Sequence, residues 1–404
     1  MSTGFEIIFK LLFCAVLFFT HYNSVDMVIG VIGAGFAGMS FAINRKMNHP
    51  QDEIIVFEHL DKAIKKVLST GNGKCNIGNE IDISSEANSR IANLILSEFN
   101  FAKQKEFLNS LNIKTKMIGE LEYPITESAA TVRNLYLKAA LTCGVKILLE
   151  TNILDYQIKG NKITLLANNG NYVLDKLVFA TGGKSSPKLG SDGSIIPLLE
   201  KHGYKLKEFR PALCPIYTKE KTKALDGTRV KAEVTLLNGK QIVLKEKGEV
   251  LFKEHGLSGI VIFNVSRYIS KTPNQPYKIN IDLLPDISKE ELSSFLKKNS
   301  VNDLLESYLH PNIAKFITGL NIKGNALIDL LKSFSFTFDH LYDFENAHIS
   351  VGGIKFEDIN VFLESKKEKG VHFLGELLDY DAPCGGHNIM WAIGSALYLS
   401  KNIK

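Results

Sequence analysis

At 404 residues the chain is long for one hydrophobic core, so two or three domains are expected. A hydrophobic fraction of 45% beside 23% charged residues excludes a disordered chain and a membrane bundle, and a net charge of +5 permits an acidic partner such as RNA without requiring one. The five cysteines are scattered and never form a C-x-x-C pair, which excludes a disulfide framework, a zinc ribbon and a redox dithiol; no metal site is expected, and a reducing cytoplasm fits.

Leu11 to Phe19 is an apolar run behind Lys10 with the look of a signal-peptide core. Tyr22 stands where a small residue should precede a cut, no twin arginine is present, and the run falls short of the ~20 apolar residues of a membrane span. Residues 1–26 are therefore read as a signal-like extension ahead of a start at Met27. Cytoplasmic localisation without stable membrane association is expected, with anchoring or export as the minor alternative.

Val28 to Ala42, VIGVIGAGFAGMSFA, is the stretch that organises the rest. Its first residues suit one buried parallel strand, and Gly33-x-Gly35-x-x-Gly38 follows. Gly33 permits the tight turn, Gly35 lets backbone approach a pyrophosphate, and Gly38 lets the next helix lie close on the sheet. Phe36 and Ala37 open that helix, whose N-terminal N–H groups and dipole would face phosphate. A second apolar run, Ile54 to Phe57, ends in Glu58, placed to accept hydrogen bonds from an adenosine ribose.

Ala63 to Asn79, AIKKVLSTGNGKCNIGN, contains Gly71, Asn72, Gly73 and Asn76 in a backbone-rich loop that no core would need, with Cys75 inside it. Ser85 to Asn112 has helical periodicity, and Val132 to Leu141 is a second amphipathic helix. Val145 to Thr181 reads as short strands with hairpin signals at Gly160-Asn161 and Asn169-Gly170, ending in a buried strand and Thr181-Gly182-Gly183. Gly183-Lys184-Ser185 imitates a P-loop, but its first glycine would fall on Val178, which excludes a triphosphate site.

Beyond Gly190 the composition changes. Val230 to Lys245 reads as a hairpin about Asn238-Gly239, and Glu249 to Phe252 as another strand. Ser288 to Glu291 is a capping box, Leu304 to Leu309 is helix stopped near Pro311, and Ile313 to Leu320 is a third helical piece. Glycine-rich α/β style returns with ISVGGI (349–354), VHFLGELLD (371–379) and CGGHNIMWAIGSALYL (384–399).

VIGAGFAG, LSTGNGKCN, FATGGKSSPKLGSDG, LFKEHGLSG, ISVGGI, FLGELLDYD and GGHN stand in one order along the chain. In these strings it resembles the BaiN-like bacterial flavoproteins, also described as aminoacetone-oxidase-like FAD-binding enzymes. The resemblance implies an α/β Rossmann-like FAD-binding domain made of residues 27–190 and 346–404. An inserted β-barrel with a small helical subdomain would occupy 191–345, its helices at about 286–332. It implies FAD in the glycine fingerprint, with Glu58 on the ribose and Thr181, Gly182 and Gly183 beside the adenosine diphosphate. Gly375 and Glu376 would meet the ribityl chain and pyrophosphate, and Gly386, Asn388 and Ile389 the flavin pyrimidine. The substrate side departs from the family's habit. Lys253-Glu254-His255 replaces Thr-His-aromatic, Ile260 replaces Pro, His387-Asn388 replaces Tyr-Asn, Met390 replaces Gln, and Ile64 replaces Gly.

The function this implies is an FAD-dependent oxidoreductase that reduces an activated C=C with hydride from flavin N5. No second G-x-G-x-x-G unit is present, so NAD(P)H is expected only as a transient reductant. Cys75 and His387, both in flavin-side glycine loops, are the candidate proton donors. Two other activities stay open: dihydrouridine formation in ribosomal RNA and flavin-dependent amine oxidation. The partner is accordingly a small-molecule substrate or ribosomal RNA.

Overall fold

The structure, a computed structural model, describes residues 26–86 and 89–404, so Leu11 to Phe19 lies outside it. β1 (Val28–Ile32) turns through Gly33 into α1 (Phe36–Asn48), and β2 (Glu53–Phe57) returns parallel beside β1. Ile29, Val31 and Val56 are fully buried, as apolar runs without polar alternation require of strands covered on both faces. A small cap follows, built from β3 (Gly78–Asn79), α2 (Arg90–Glu98), α3 (Phe101–Ser110), β4 (Thr115–Ile118) and β5 (Leu121–Pro124). The continuous helix expected over Ser85 to Asn112 is broken in two. Asn100 interrupts it because its side chain accepts the Lys103 N–H at 3.3 Å and starts α3 afresh.

α4 (Ala129–Cys143) leads to β6 (Lys146–Leu148), which joins the parallel sheet beside β2. β7 (Ile153–Lys159), β8 (Lys162–Ala167) and β9 (Gly170–Leu174) form an antiparallel meander, with turns at Gly160-Asn161 and just ahead of Gly170. β10 (Lys176–Phe179) then pairs parallel with the other edge of β1.

After α5 (Ile196–Lys201) and β11 (Lys207–Ala212) the chain enters a second body. In order come β12 (Ile216–Thr218), β13 (Arg229–Asn238), β14 (Gln241–Lys253), β15 (Gly256–Ser258), α6 (Ile260–Lys271) and β16 (Tyr277–Asp282). Four short helices follow: α7 (Lys289–Leu296), α8 (Val301–Tyr308), α9 (Pro311–Gly319) and α10 (Gly324–Lys332). β17 (Phe334–Leu341) closes a barrel in the order β12-β15-β14-β13-β16-β17. The hairpin and separate strand read from Val230 to Phe252 are one ladder, because β14 runs unbroken for 13 residues. Ser288 caps α7 through the Glu291 N–H at 3.0 Å, while the reciprocal capping box forms at Ser300 and Asp303. Pro311 opens α9 at its first turn, where a missing N–H costs nothing.

β18 (Ile349–Gly353) pairs antiparallel with β11, a two-stranded neck between the bodies. β19 (Val371–Phe373) completes the parallel sheet β19-β10-β1-β2-β6, and α11 (His387–Asn402) lies along α1. Among the described residues no helix is long and apolar enough to cross a membrane. Separate apolar clusters fill the Rossmann body and the barrel with its helices. Sequence reading missed α6. Its sequence carries little helix signal, because Ile260, Val261, Ile262, Val265 and Ile269 are β-branched; packing against β14 and β11 makes them helix.

Candidate active site

A cavity of about 1230 Å³ runs from the glycine turn after β1 to the N-terminus of α11 and on to the barrel. That exceeds the ~300–1,000 Å³ typical of a ligand pocket, as a site for a large cofactor and a substrate together would. At its Rossmann end the three glycines do three different things. Gly33 has φ +102°, and a Cβ there would stand 2.5 Å from the Ala180 carbonyl oxygen. A Cβ on Gly38 would overlap the Gly33 carbonyl, so this glycine seats α1 against the turn without itself lining the cavity. A Cβ on Gly35 would meet nothing within 4 Å; its backbone, with Phe36 and Ala37, opens directly onto the cavity.

Glu58 ends β2 at the wall of the cavity, 7% exposed. Its carboxylate accepts the Ala34 N–H at 2.8 Å and the Leu60 N–H at 3.0 Å, which ties it to the glycine turn. Each carboxylate oxygen has further lone pairs to offer a hydroxyl. Across from it, Thr181 and Gly182 line the cavity at the end of β10. Thr181 Oγ1 and Ser191 Oγ are buried without a hydrogen-bond partner among the described residues. Gly183 does not line the cavity; a Cβ there would run into Ser350.

The loop after β2 doubles back at Gly71 and Asn72, with φ of 55° and 53°, and presents both to the cavity along with Asn76. Gly73 faces away. Glu376 lines the cavity from the turn after β19, with its carboxylate heavily engaged. Oε1 accepts the Ser350 N–H at 2.8 Å and the Ser185 hydroxyl at 3.0 Å, while Lys66 Nζ stands 3.1 Å from Oε2. Gly375 is buried behind it and accepts Trp391 Nε1–H at 2.9 Å on its carbonyl; it holds the turn and does not touch the cavity.

At the opposite end, Gly386 caps α11 with φ +94°, where a Cβ would come 2.7 Å from the Gly78 carbonyl oxygen. That close approach points the α11 N-terminus into the cavity through Gly386, His387, Asn388 and Ile389. The N–H groups of His387 and Asn388 have no intrahelical acceptor, so they and the dipole favour an anion or a carbonyl oxygen there. The Asn388 side chain is occupied. Its amide donates to the Ala382 carbonyl at 2.8 Å and accepts the Ala382 N–H at 2.9 Å, so only its backbone is free for a ligand.

Both candidate proton donors must be revised. Cys75 is fully buried beneath its loop, has φ +60° and does not line the cavity. Burial pushes its thiol up to about 11, so it is an inert packed side chain. His387 does line the cavity, but burial first, and the nearby Arg267 charge second, push its imidazolium down to about 4. At neutral pH the ring is uncharged and has no acidic proton to give.

The residues that sequence reading missed lie on the barrel side. Ile260, Phe263, Asn264, Arg267 and Tyr268 all line the cavity, and their spacing puts them on one face of α6. Leu244, Glu246 and Leu251 of β14 join them. Asn264 Nδ2 donates to Glu246 Oε1 at 2.8 Å and to Oε2 at 3.1 Å, and Asn264 Oδ1 accepts the Cys384 N–H at 2.9 Å. One turn on, Arg267 grips the Asp381 carboxylate and donates to the Asp381 carbonyl at 2.9 Å. With Lys271, whose Nζ stands 2.9 Å from the Asp381 carboxylate, α6 thus holds the loop that feeds α11 through three residues. Recognising α6 as a helix would have put these side chains on one face.

FAD fits this arrangement: open backbone at Gly35, a carboxylate at Glu58, unpartnered Thr181 and Ser191, and a helix N-terminus at the far end.

The chain is similar to known proteins over almost all its described length. The family model HI0933-like protein Rossmann domain matches residues 27–402. A 3-dehydro-bile acid delta(4,6)-reductase of Clostridium scindens is 29% identical over 396 residues, spanning 90% of this chain and 96% of the relative. A ribosomal RNA dihydrouridine synthase of Haemophilus influenzae is 25% identical over 395 residues, spanning 91% and 96%. The solved structure of a variant quinol fumarate reductase from E. coli has a TM-score of 0.50 at 12% identity, covering 93% of this chain and 69% of that one, which shows a shared fold. The chain belongs to the HI0933-like protein Rossmann domain family, the BaiN-like flavoproteins, and is an FAD-dependent oxidoreductase.

Proposed function

We propose that the protein reduces a C=C bond conjugated to a carbonyl in a largely apolar small molecule. FAD would be held from the Gly33–Gly38 turn to the start of α11. Bound there, FAD supplies a hydride and its electron pair at N5. Glu58 would hold the ribose hydroxyls. The Gly35, Phe36 and Ala37 backbone would take the pyrophosphate, and the N–H groups of His387 and Asn388 would offset charge growing on the pyrimidine edge. NAD(P)H is the proposed reductant, docking transiently in the same cavity.

The observation that carries the substrate reading is the barrel-side lobe. Leu244, Leu251, Ile260 and Phe263 give it an apolar wall, while Glu246 and Asn264 supply a small polar group within it. The Asn264 bond to Cys384 ties this lobe to the loop just ahead of the α11 N-terminus. Arg229, Glu249 and Arg267 line the same side, so the lobe joins an apolar wall for a ring system to polar groups able to orient its carbonyl. The bile-acid reductase relative acts, by its name, on such a compound.

A second reading has its own support in the dihydrouridine synthase relative. Uracil also offers a C=C conjugated to a carbonyl, and the chain's positive charge suits RNA. One experiment separates the two. FAD-loaded protein is reduced anaerobically and mixed with a 3-dehydro-4,6-diene bile acid or with unmodified ribosomal RNA. The small-molecule reading expects the enone alone to restore the oxidised flavin spectrum and to gain two hydrogens. Reoxidation by RNA alone, with dihydrouridine as product, would overturn it in favour of the second reading.

A further inference from the structure

A C=C bond that takes a hydride at one carbon must take a proton at the next, and neither Cys75 nor His387 can give it. On the barrel side, Arg267 is committed to Asp381, and a guanidinium is not deprotonated in proteins. Cys384 lines the lobe, but burial pushes its thiol up to about 12. Arg229 and Glu249 form an ion pair with each other. Glu246 is different. It lines the lobe on β14 opposite the buried Val234, and among the described residues its carboxyl meets no cation. Its sequence neighbours Lys245 and Lys247 pair elsewhere, with Glu233 and Asp286. The groups around it are the neutral Asn264, the Cys384 thiol and, a turn farther along α6, Arg267, which shares the Asp381 carboxylate with Lys271.

We propose that Glu246 is the proton donor to the substrate, with Asn264 as the residue that orients it. The proposal rests on the reading of the protein as a C=C reductase. In the step, the π bond breaks and one carbon forms a C–H bond with the hydride brought by reduced flavin. The adjacent carbon takes the proton from the Glu246 carboxyl, which is left as carboxylate and regains a proton from solvent. Asn264 Nδ2 bonds to both carboxyl oxygens, which fixes the plane of the group while leaving its O–H for the substrate. Burial moves this carboxyl above the ordinary range, with only the Asn264 bond opposing.

The test compares wild type, Glu246→Gln and Glu246→Asp by two readouts. The first needs neither flavin nor substrate: infrared difference spectra across a pH titration. Beside the raised carboxyl of buried Glu122, common to all three proteins, they should show in wild type a carboxylic acid that deprotonates above the usual glutamate range and is missing from Glu246→Gln. A carboxyl at 246 already ionised at pH 5 overturns the inference. The second uses the reduced holoenzyme with a 3-dehydro-4,6-diene bile acid. At saturating probe, Glu246→Gln should slow flavin reoxidation about 10²–10⁴-fold, with partial rescue in Glu246→Asp. The wild-type rate should fall as pH rises through the Glu246 pKa, and that fall should be absent in Glu246→Gln. Reoxidation of Glu246→Gln at the wild-type rate overturns the inference while leaving the reductase reading intact. Wild type that ignores the enone sinks the reductase reading for this substrate, and with it the donor role that depends on it.

Discussion

Replacing Gly35 and Gly38 with alanine, one at a time, places the same methyl group in two different surroundings. At Gly35 the backbone is extended (φ −79°, ψ −171°) and a Cβ meets nothing within 4 Å. The folded protein without cofactor should barely notice it. Alanine is a poorer N-cap than glycine by about 0.5–1 kcal/mol, and the stiffer unfolded chain returns about 0.4–1 kcal/mol. FAD should notice, because the methyl occupies the space where the pyrophosphate would approach. Overpacking of about 1–3 kcal/mol corresponds to roughly 5–150-fold weaker binding. At Gly38 the methyl overlaps a backbone oxygen that cannot rotate aside, so α1 must lift from the turn. That variant should lose about 1–3 kcal/mol of stability even without cofactor, and FAD retention with it. The assay is thermal unfolding of the stripped protein beside FAD titration by flavin fluorescence. Wild-type affinity for FAD in Gly35→Ala would refute the placement of the pyrophosphate. Undiminished stability in Gly38→Ala would refute the packing argument.

Glu58→Ala should weaken FAD retention by about tenfold or more, since it removes the ribose acceptor and the anchor of the Ala34 N–H; equilibrium dialysis of the purified variant reads this. Cys75→Ala should leave the rate of substrate reduction within about twofold of wild type in stopped-flow traces, because the thiol is packed outside the cavity and a general acid would cost far more to remove. His387 supplies a pH signature. Its folded value of about 4 lies below the unfolded 6.5, so the unfolded chain binds the proton first, and stability is lost as pH falls between them. His387→Phe should remove on the order of 3 kcal/mol of that acid sensitivity, measured as the difference between the two proteins' denaturant midpoints at pH 7 and pH 4.

What was legible in the sequence was local. The strand, glycine turn and helix after Val28, and the acid at Glu58, depend on spacings within thirty residues, and each has one physical meaning. The site's barrel half depends on long-range contacts that leave little sequence signal. Glu246 sits between two lysines, which gives no sign of a buried site; only the fold sets it against Asn264 in a lobe. α6 was hidden by its own β-branched residues, whose strand preference yields to packing on the barrel and neck. Cys75 misled in the opposite direction. A cysteine among loop glycines suggests reactivity, but the left-handed backbone at that position turns its side chain beneath the loop.

The most direct test of the account is a crystal structure of the FAD-loaded protein. It should show the adenosine ribose on Glu58, the pyrophosphate over Gly35, and the isoalloxazine at the start of α11. The flavin's pyrimidine edge should lie within hydrogen-bond reach of the His387 and Asn388 N–H groups, with one face open to Glu246 and Asn264. A flavin held outside this cavity, or inverted so that its adenine meets α11, would contradict both the cofactor placement and the chemistry built on it.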